Sequence, residues 1–519
     1  MQATSARRYS IIGERAPLFW SGCGAIAAGV LLHLPMLAMA HDMGGHVVGM
    51  PMDPWMYLGM GLILIGVPLA CYGALPAQRA QHSNQAGTQY EAPDEMPLNR
   101  WHAAVLVVLT LGLIIDTMKP ATLGFVLPGM RAEYRIPSST VALLPFVALL
   151  GTTVGSFVWG FLADIYGRRV SILLSTILFV STSICGAMPQ FEWNLLMCFL
   201  MGSSAGGMLP VVYTLLAEGM PPKHRSWVLV LVGGTGLVGG YLAASGAAWL
   251  FEPEYGWRSL WLQGFPTGLL LLALARWIPE SPRFLAEEGR HAELQDMERK
   301  YGIVRREREP VPADAAVAAQ RHGRLTAALT IAALAWSLVN FGLVLWLPSD
   351  LQQRGYSAEL ASGIIASSAL IALPTIMLAA WAYSRWSSKW TLVGTALITL
   401  AGLAGALLPP AILSLPVILI TVVALLIVGT NGMIAVLLPY AAENYPLGVR
   451  GRATGLIAGS SKFGGVTVQG FALLGFIPTL GGAALALLAP MGISALLIGY
   501  AGRETRGRSL RELESAGGA

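Results

Sequence analysis

Residues 218–225 read EGMPPKHR, and residues 443–450 read ENYPLGVR. In each, a long apolar run ends on a glutamate and the chain turns at a proline. An arginine seven residues past the glutamate then opens the next apolar run. The two sites lie 225 residues apart, and the same offset lays Gly207 on Gly432, Gly234 on Gly459, Gly239 on Gly464 and Gly240 on Gly465. One such match is chance; six in register mark a duplicated unit.

Composition says what is duplicated. Of 519 residues, 55% are hydrophobic and only 12% charged, about half the charge of a soluble protein. The apolar residues come in blocks of about 20, the length that crosses ~30 Å of hydrocarbon at ~1.5 Å per residue. Fourteen such blocks predict an all-α polytopic membrane protein, and the 60 glycines suit helices that approach closely in lipid. Of the 33 Lys and Arg, loops on one side take Arg131, Arg135, Arg258 and Arg354, Lys119 and Lys462 fall inside spans, and the rest lie on the other side. The positive-inside rule makes that other side cytoplasmic and puts both termini there, across a bacterial-type inner membrane.

The expected layout starts with a two-helix segment at 1–76, whose outer loop is rich in Met and His, and a cytoplasmic linker at 77–100. A six-helix bundle at 101–278, a cytoplasmic inter-bundle segment at 279–324, a second six-helix bundle at 325–502 and a cytoplasmic tail at 503–519 follow. Repeated bundles that rock around a midplane site are the plan of secondary transporters. Cys23, Cys71, Cys185 and Cys198 sit in apolar segments at unrelated spacings, as buried small hydrophobes do. No Ser/His/Asp set, metal-hydrolase motif or phosphate loop is present, which argues against an enzyme. The net charge of +5 reflects topology rather than nucleic-acid binding.

Residues 111–129, LGLIIDTMKPATLGFVLPG, place Asp116 and Lys119 in the middle of a span. A charge there costs about 2.5–3.5 kcal/mol, so such groups face a cavity or a partner. Three residues apart on one helix face, the two are expected to neutralise each other, while Pro120 leaves the Asp116 carbonyl without its helical donor. Asp116 is thus the candidate proton carrier. Lys462, in GSSKFGG, is a second cation near the midplane. Two lysines against one acid favour a carboxylate-bearing substrate. Tyr213, Trp336, Asn340, Asn431 and Gln469 are the polar or aromatic span residues that complete a candidate substrate site with Lys119 and Lys462. Each alone also reads as glue between helices.

Three further stretches are specific. GFLADIYGRRVSI (160–172) resembles the signature loop of the major facilitator superfamily, and PESPRFLAEEGR (279–290) and ETRGRSLREL (504–513) resemble its sugar porter and organic-ion branches. The resemblance covers residues 101–514 and implies a 6+6 helix fold. It also implies a cytoplasmic gate of charges that latches the outward-facing state, here Asp164, Arg168, Arg169, Glu218, Arg225, Glu280, Arg283, Glu443 and Arg450. An exposed pair is worth only ~0–1 kcal/mol, so the latch must be a network. The corresponding loop of the second half, SRWSSKW (384–390), lacks the pattern and predicts a weak or missing latch. Asp116, Lys119, Gly124 and Pro128 resemble the first-helix motif of aromatic acid/proton symporters, which carry a second Asp in place of Lys119. That resemblance implies proton coupling through Asp116.

The extra helix pair precedes the bundles, and its outer loop reads HDMGGHVVGMPMDPWM (41–56). Thioethers and imidazoles suit copper(I), so His41, Met43, His46, Met50 and Met52 are candidate metal donors. Gap-filling methionine in an outer cap is the alternative, and no other cofactor is implied. Ala38-x-Ala40 also resembles a signal-peptidase site, whose use would remove the first helix. The expected protein is a proton-coupled symporter of a small organic anion, working as a monomer in contact with lipid. A copper or metal-chelate transporter and a non-transporting membrane sensor are the alternatives.

Overall fold

Inside a bilayer every backbone N–H and C=O must bond within the chain, so apolar blocks of this length become helices. The structure, a computed structural model, describes residues 15–42, 47–75, 88–91, 93, 96–307, 323–445, 447–476 and 479–506. Among them, eleven helices are long and apolar enough to cross a membrane. The other three expected spans are helical as well, at Ser259–Leu262 continued by Gly264–Leu274, at Ser388–Gly405 and at Leu447–Leu473.

The chain opens with α1 (Ala16–Leu31), α2 (Leu34–Asp42) and α3 (Pro54–Ala74). The first bundle holds α4 (Arg100–Tyr134), α5 (Leu143–Tyr166), α6 (Arg168–Ser181), α7 (Phe191–Gly219), α8 (Pro222–Tyr255) and α9 (Gly264–Leu274). Two short helices follow, α10 (Pro282–Glu287) and α11 (His291–Tyr301). The second bundle holds α12 (Gly323–Gly342) with α13 (Leu347–Gln353), α14 (Ala358–Trp381), α15 (Ser388–Gly405), α16 (Pro416–Asn444), α17 (Leu447–Leu473) and α18 (Leu480–Ala501). The duplication is visible in the bounds. α7 and α16 are both 29 residues long and start 225 apart, as α8 and α17 do.

Packing repeats too. α4 lies along α8 as α12 lies along α17, and α5 lies on α7 as α14 lies on α16. The α5–α7 seam is built for close approach: a Cβ on Gly155 would strike the Ser203 carbonyl, and one on Gly202 the Ala148 carbonyl. Small residues serve this purpose where no hydrophobic force draws helices together. Between the bundles, α8 packs on α14, α5 on α17, and α4 on α13.

The N-terminal pair is tied down at both ends. α1 and α3 pack together and against α6. At the loop end, the Glu133 carboxylate accepts the amides of Val47 (2.8 Å) and Val48 (3.3 Å). It also accepts the Trp257 indole (3.0 Å) and two nitrogens of Arg258 (3.1 and 2.7 Å). Both members of that ion pair are 4% exposed. At the other end the linker meets the inter-bundle segment. Thr88–Glu91 (β1) pairs antiparallel with Val304–Glu307 (β2), Thr88 opposite Glu307. Asn99 Nδ2 also donates to the Lys300 carbonyl at 2.7 Å. Two four-residue strands carry too little periodicity to be read from sequence.

Removing one side of a buried ion pair strands the other. Glu133→Ala is therefore expected to destabilise the protein by about 3–5 kcal/mol, and Glu133→Met with Arg258→Met by less. Unfolding of the detergent-solubilised protein measures both.

Candidate functional site

α4 runs unbroken through Pro120 and carries Asp116 at its middle. The Asp116 side chain is half-buried. Beside it lies a cavity of ≈ 10 Å³, lined also by Ser175, Thr176 and Met208, room for about one water. Lys462, also half-buried, sits on α17 of the other bundle, close enough for its charge to reach Asp116. The expected Asp116–Lys119 pair does not form. Lys119 is 0% exposed. Its ammonium donates to the Phe179 carbonyl and the Thr182 hydroxyl, both at 2.6 Å, and lies 4.5 Å from the Phe179 ring centroid. These partners sit where α6 tightens into the 3₁₀ turn Thr182–Ala187 and leaves carbonyls unclaimed. Three-residue spacing allowed a pair; the neighbouring helix supplied better acceptors.

The neutral candidates divide. Trp336 donates to the Thr430 carbonyl at 2.7 Å, tying α12 to α16. Gln469 donates to the Phe341 carbonyl (2.6 Å) and accepts from Trp346 (3.3 Å), bracing the break between α12 and α13. Asn431 donates to the Ile427 carbonyl one turn back, at 3.0 Å. Asn340 is half-buried. The Tyr213 hydroxyl is buried with no hydrogen-bond partner among the described residues. Of the metal candidates, Met50 and Met52 pack against an apolar cluster of Met36, Val47, Met56 and Ala187. The His41 side chain, Met43 and His46 lie outside the described residues.

At the other end Asp164, Arg168, Glu218 and Glu280 of the predicted gate set come together, with Arg169 beside them. Gly167 has φ +100° between α5 and α6, and a Cβ there would meet the Glu280 carboxylate, a position for glycine on both counts. Glu280 accepts the amides of Arg168 (2.7 Å), Ser281 (2.9 Å) and Arg169 (3.4 Å), holding the N-terminus of α6. Burial pushes its carboxyl above the ordinary range, against the pull of those amides and of Arg290. The Arg168 guanidinium meets Glu218 at 3.3 Å and Asp164 at 3.5 Å. Asp164 is 78% exposed and Glu218 19%, so the Glu218 contact is the less screened and the stronger of the two. Arg169 lies in the field of Glu280 and Glu293. Arg225 and Arg283 each have a polar or charged partner, and the Arg450 side chain lies outside the described residues.

The second half carries a polar cluster of its own at SRWSSKW, built from hydroxyls rather than the Asp and Arg of the first-half loop. Glu504 accepts the Ser388 amide (2.9 Å), the Ser388 hydroxyl (2.7 Å) and the Ser387 hydroxyl, holding the N-terminus of α15 as Glu280 holds that of α6. Glu443 accepts from Tyr383 and Thr505, both at 2.7 Å, and from Ser226 at 2.5 Å. Ser226 belongs to α8, so that last bond crosses between the bundles. Tyr383, Ser387, Ser388, Glu504, Thr505 and Ser226 were not singled out in the sequence. The available signal was Glu504, which follows Glu280 by 224 residues, close to the repeat offset.

Comparison with known proteins agrees with this architecture. The sequence model of the Major Facilitator Superfamily matches residues 109–469. The niacin transporter NiaP of Acinetobacter baylyi is 27% identical over 445 residues, 81% of this chain and 98% of that one. The organic cation/carnitine transporter 7 of Arabidopsis thaliana is 31% identical over 214 residues, 40% of this chain and 42% of that one. Among solved structures, the proton:xylose symporter XylE bound to 6-bromo-6-deoxy-D-glucose superposes with a TM-score of 0.63 at 19% identity, covering 80% of this chain and 98% of that one.

Burial raises the Glu504 carboxyl, and bonds from Ser387, Ser388 and the Arg506 amide outweigh it, leaving a net value below the ordinary 4.5. A depressed acid stabilises the attached state above its ordinary value and loses that contribution as pH falls through the lowered one. The Ser388 amide is therefore expected to exchange hydrogen faster, after correction for intrinsic rates, as pH drops below 4.5. Glu504→Gln should flatten that dependence, as read by exchange mass spectrometry.

Proposed function

The chain belongs to the major facilitator superfamily, and we propose that it is a proton-coupled symporter of a small organic anion, an aromatic carboxylate, working by alternating access. The observation that carries this reading is the placement of two half-buried opposite charges, Asp116 on α4 and Lys462 on α17, on different bundles within electrostatic reach of each other. With Asp116 ionised, Lys462 spends its charge on that carboxylate. A proton on Asp116 removes the counter-charge, and the freed ammonium then takes the substrate carboxylate. Proton and anion enter together, and each raises the other's affinity by the same factor. A coupling of ~1–3 kcal/mol links two ligands by about 5- to 150-fold.

Lys119 serves in this scheme as a post that fixes α4 against the end of α6, and the anion role passes to Lys462. Tyr213 and Asn340 are the neutral contacts left for substrate, while Trp336, Asn431 and Gln469 hold the second bundle together. The substrate class draws support from the Acinetobacter baylyi relative, named a niacin transporter. Niacin is a pyridine carboxylic acid, a flat ring with a single charge. The charge clusters around Glu280 and Glu504 lock one state at the cytoplasmic end, and the α4–α13 contact closes the opposite end.

In proteoliposomes, Asp116→Asn should abolish uptake driven by a pH gradient while keeping substrate counterflow and making anion affinity independent of pH. Lys462→Gln should weaken anion binding about tenfold or more at every pH. Lys119→Met should lower the melting temperature and leave the pH dependence of binding in place. Full gradient-driven accumulation by Asp116→Asn would sink the reading.

A further inference from the structure

A second cavity, of ≈ 340 Å³, lies where α13 ends and α16 begins, at the end of the second bundle away from the latch. One wall is Arg354 and Tyr356, from the turn between α13 and α14. The other is Pro410, Leu413, Ser414 and Leu419, from the short helix Pro410–Leu413 and the first turn of α16. Its size falls in the range of sites that hold an organic molecule.

The polar wall presents a cation. Arg354 Nε donates to Asp350 Oδ2 at 2.6 Å, and Asp350 Oδ1 accepts the Leu480 amide at 3.0 Å. Asp350 is therefore held by both oxygens outside the cavity, whose walls include Arg354. No described residue accepts from the remaining guanidinium nitrogens, and the side chain is 30% exposed. The Ser414 hydroxyl is bonded to the Ala411 carbonyl at 3.1 Å, and the Tyr356 hydroxyl reaches the Ser414 carbonyl at 3.4 Å. α16 begins beside it with no side-chain cap, adding the positive end of a 29-residue helix.

The rest of the setting is apolar and open. Leu408, Ile412, Leu415 and Val417 around the cavity are exposed, Val417 by 77%. On a spanning bundle such a surface meets acyl chains rather than water. A pocket with leucine walls and an arginine, placed where spans end and exposed apolar side chains surround it, matches a phospholipid in chemistry, with an anionic head and an apolar tail.

We propose that this cavity binds an anionic phospholipid, its phosphate on the free guanidinium nitrogens of Arg354 and an acyl chain along Leu413 and Leu419. The site stands apart from Asp116 and Lys462 and does not depend on the transported substrate.

Native mass spectrometry of the full chain, released from micelles with phosphatidylglycerol, phosphatidylcholine or inorganic phosphate added, tests this. Phosphatidylglycerol should be retained several-fold more than phosphatidylcholine. Arg354→Gln should remove that preference, and Arg354→Lys should keep part of it. Leu413→Trp, which fills the cavity, should reduce retention of both lipids, and Lys462→Gln should leave retention unchanged. Melting temperatures of the variants establish that each is folded. Equal retention by Arg354→Gln, or by Leu413→Trp, overturns the site. Displacement of the lipid by inorganic phosphate or by a soluble aromatic carboxylate overturns the lipid assignment.

Discussion

A charge in hydrocarbon must be answered by another group of the same protein, and this rule shapes the structure more than any other. Lys119 is answered by a carbonyl and a hydroxyl that a helix end leaves over. At the loop end of α4, past its apolar run but buried from water, Glu133 and Arg258 answer each other in the same way and also fasten the N-terminal loop. Asp116 and Lys462 lie on different bundles, near enough for one charge to act on the other. The first two arrangements are held by hydrogen bonds at fixed neighbours, whereas the third, in the proposed function, breaks when a proton arrives.

The same economy governs the latch end. Each bundle must hold the N-terminus of its third helix, where amides lack acceptors. Both solve this with a carboxylate arriving just after the sixth span, Glu280 in one half and Glu504 in the other. The halves then differ in their second partner. The first uses Arg168 and Glu218, a charge pair; the second uses Tyr383 and Thr505 on Glu443, a set of hydroxyls. Duplication preserved the task while the side chains that perform it diverged. A motif search keyed to arginine and aspartate finds one half and passes over the other.

The N-terminal pair shows how a segment without a counterpart in the repeat is absorbed. Its loop is bound by Glu133 at one end, and its linker pairs with the inter-bundle segment at the other. The second attachment joins residues more than two hundred positions apart through backbone bonds that depend little on side-chain type. A linker and a charged loop, each polar and without period, held no sign that they would meet.

The sequence by itself determined the helical class and the two pseudo-repeated bundles, and it raised Asp116 as an acid whose place in a span needs an explanation. All of these follow from local quantities: apolar run length, a fixed offset, and the cost of ionising Asp116 in a span. Tertiary structure alone decided who answers whom: a carbonyl and a hydroxyl at the end of α6 for Lys119, serine and tyrosine hydroxyls among the described residues for Glu504 and Glu443, and Glu133 for a distant loop. Partnership depends on which helices lie side by side, and spacing along one helix shows only which groups share a face.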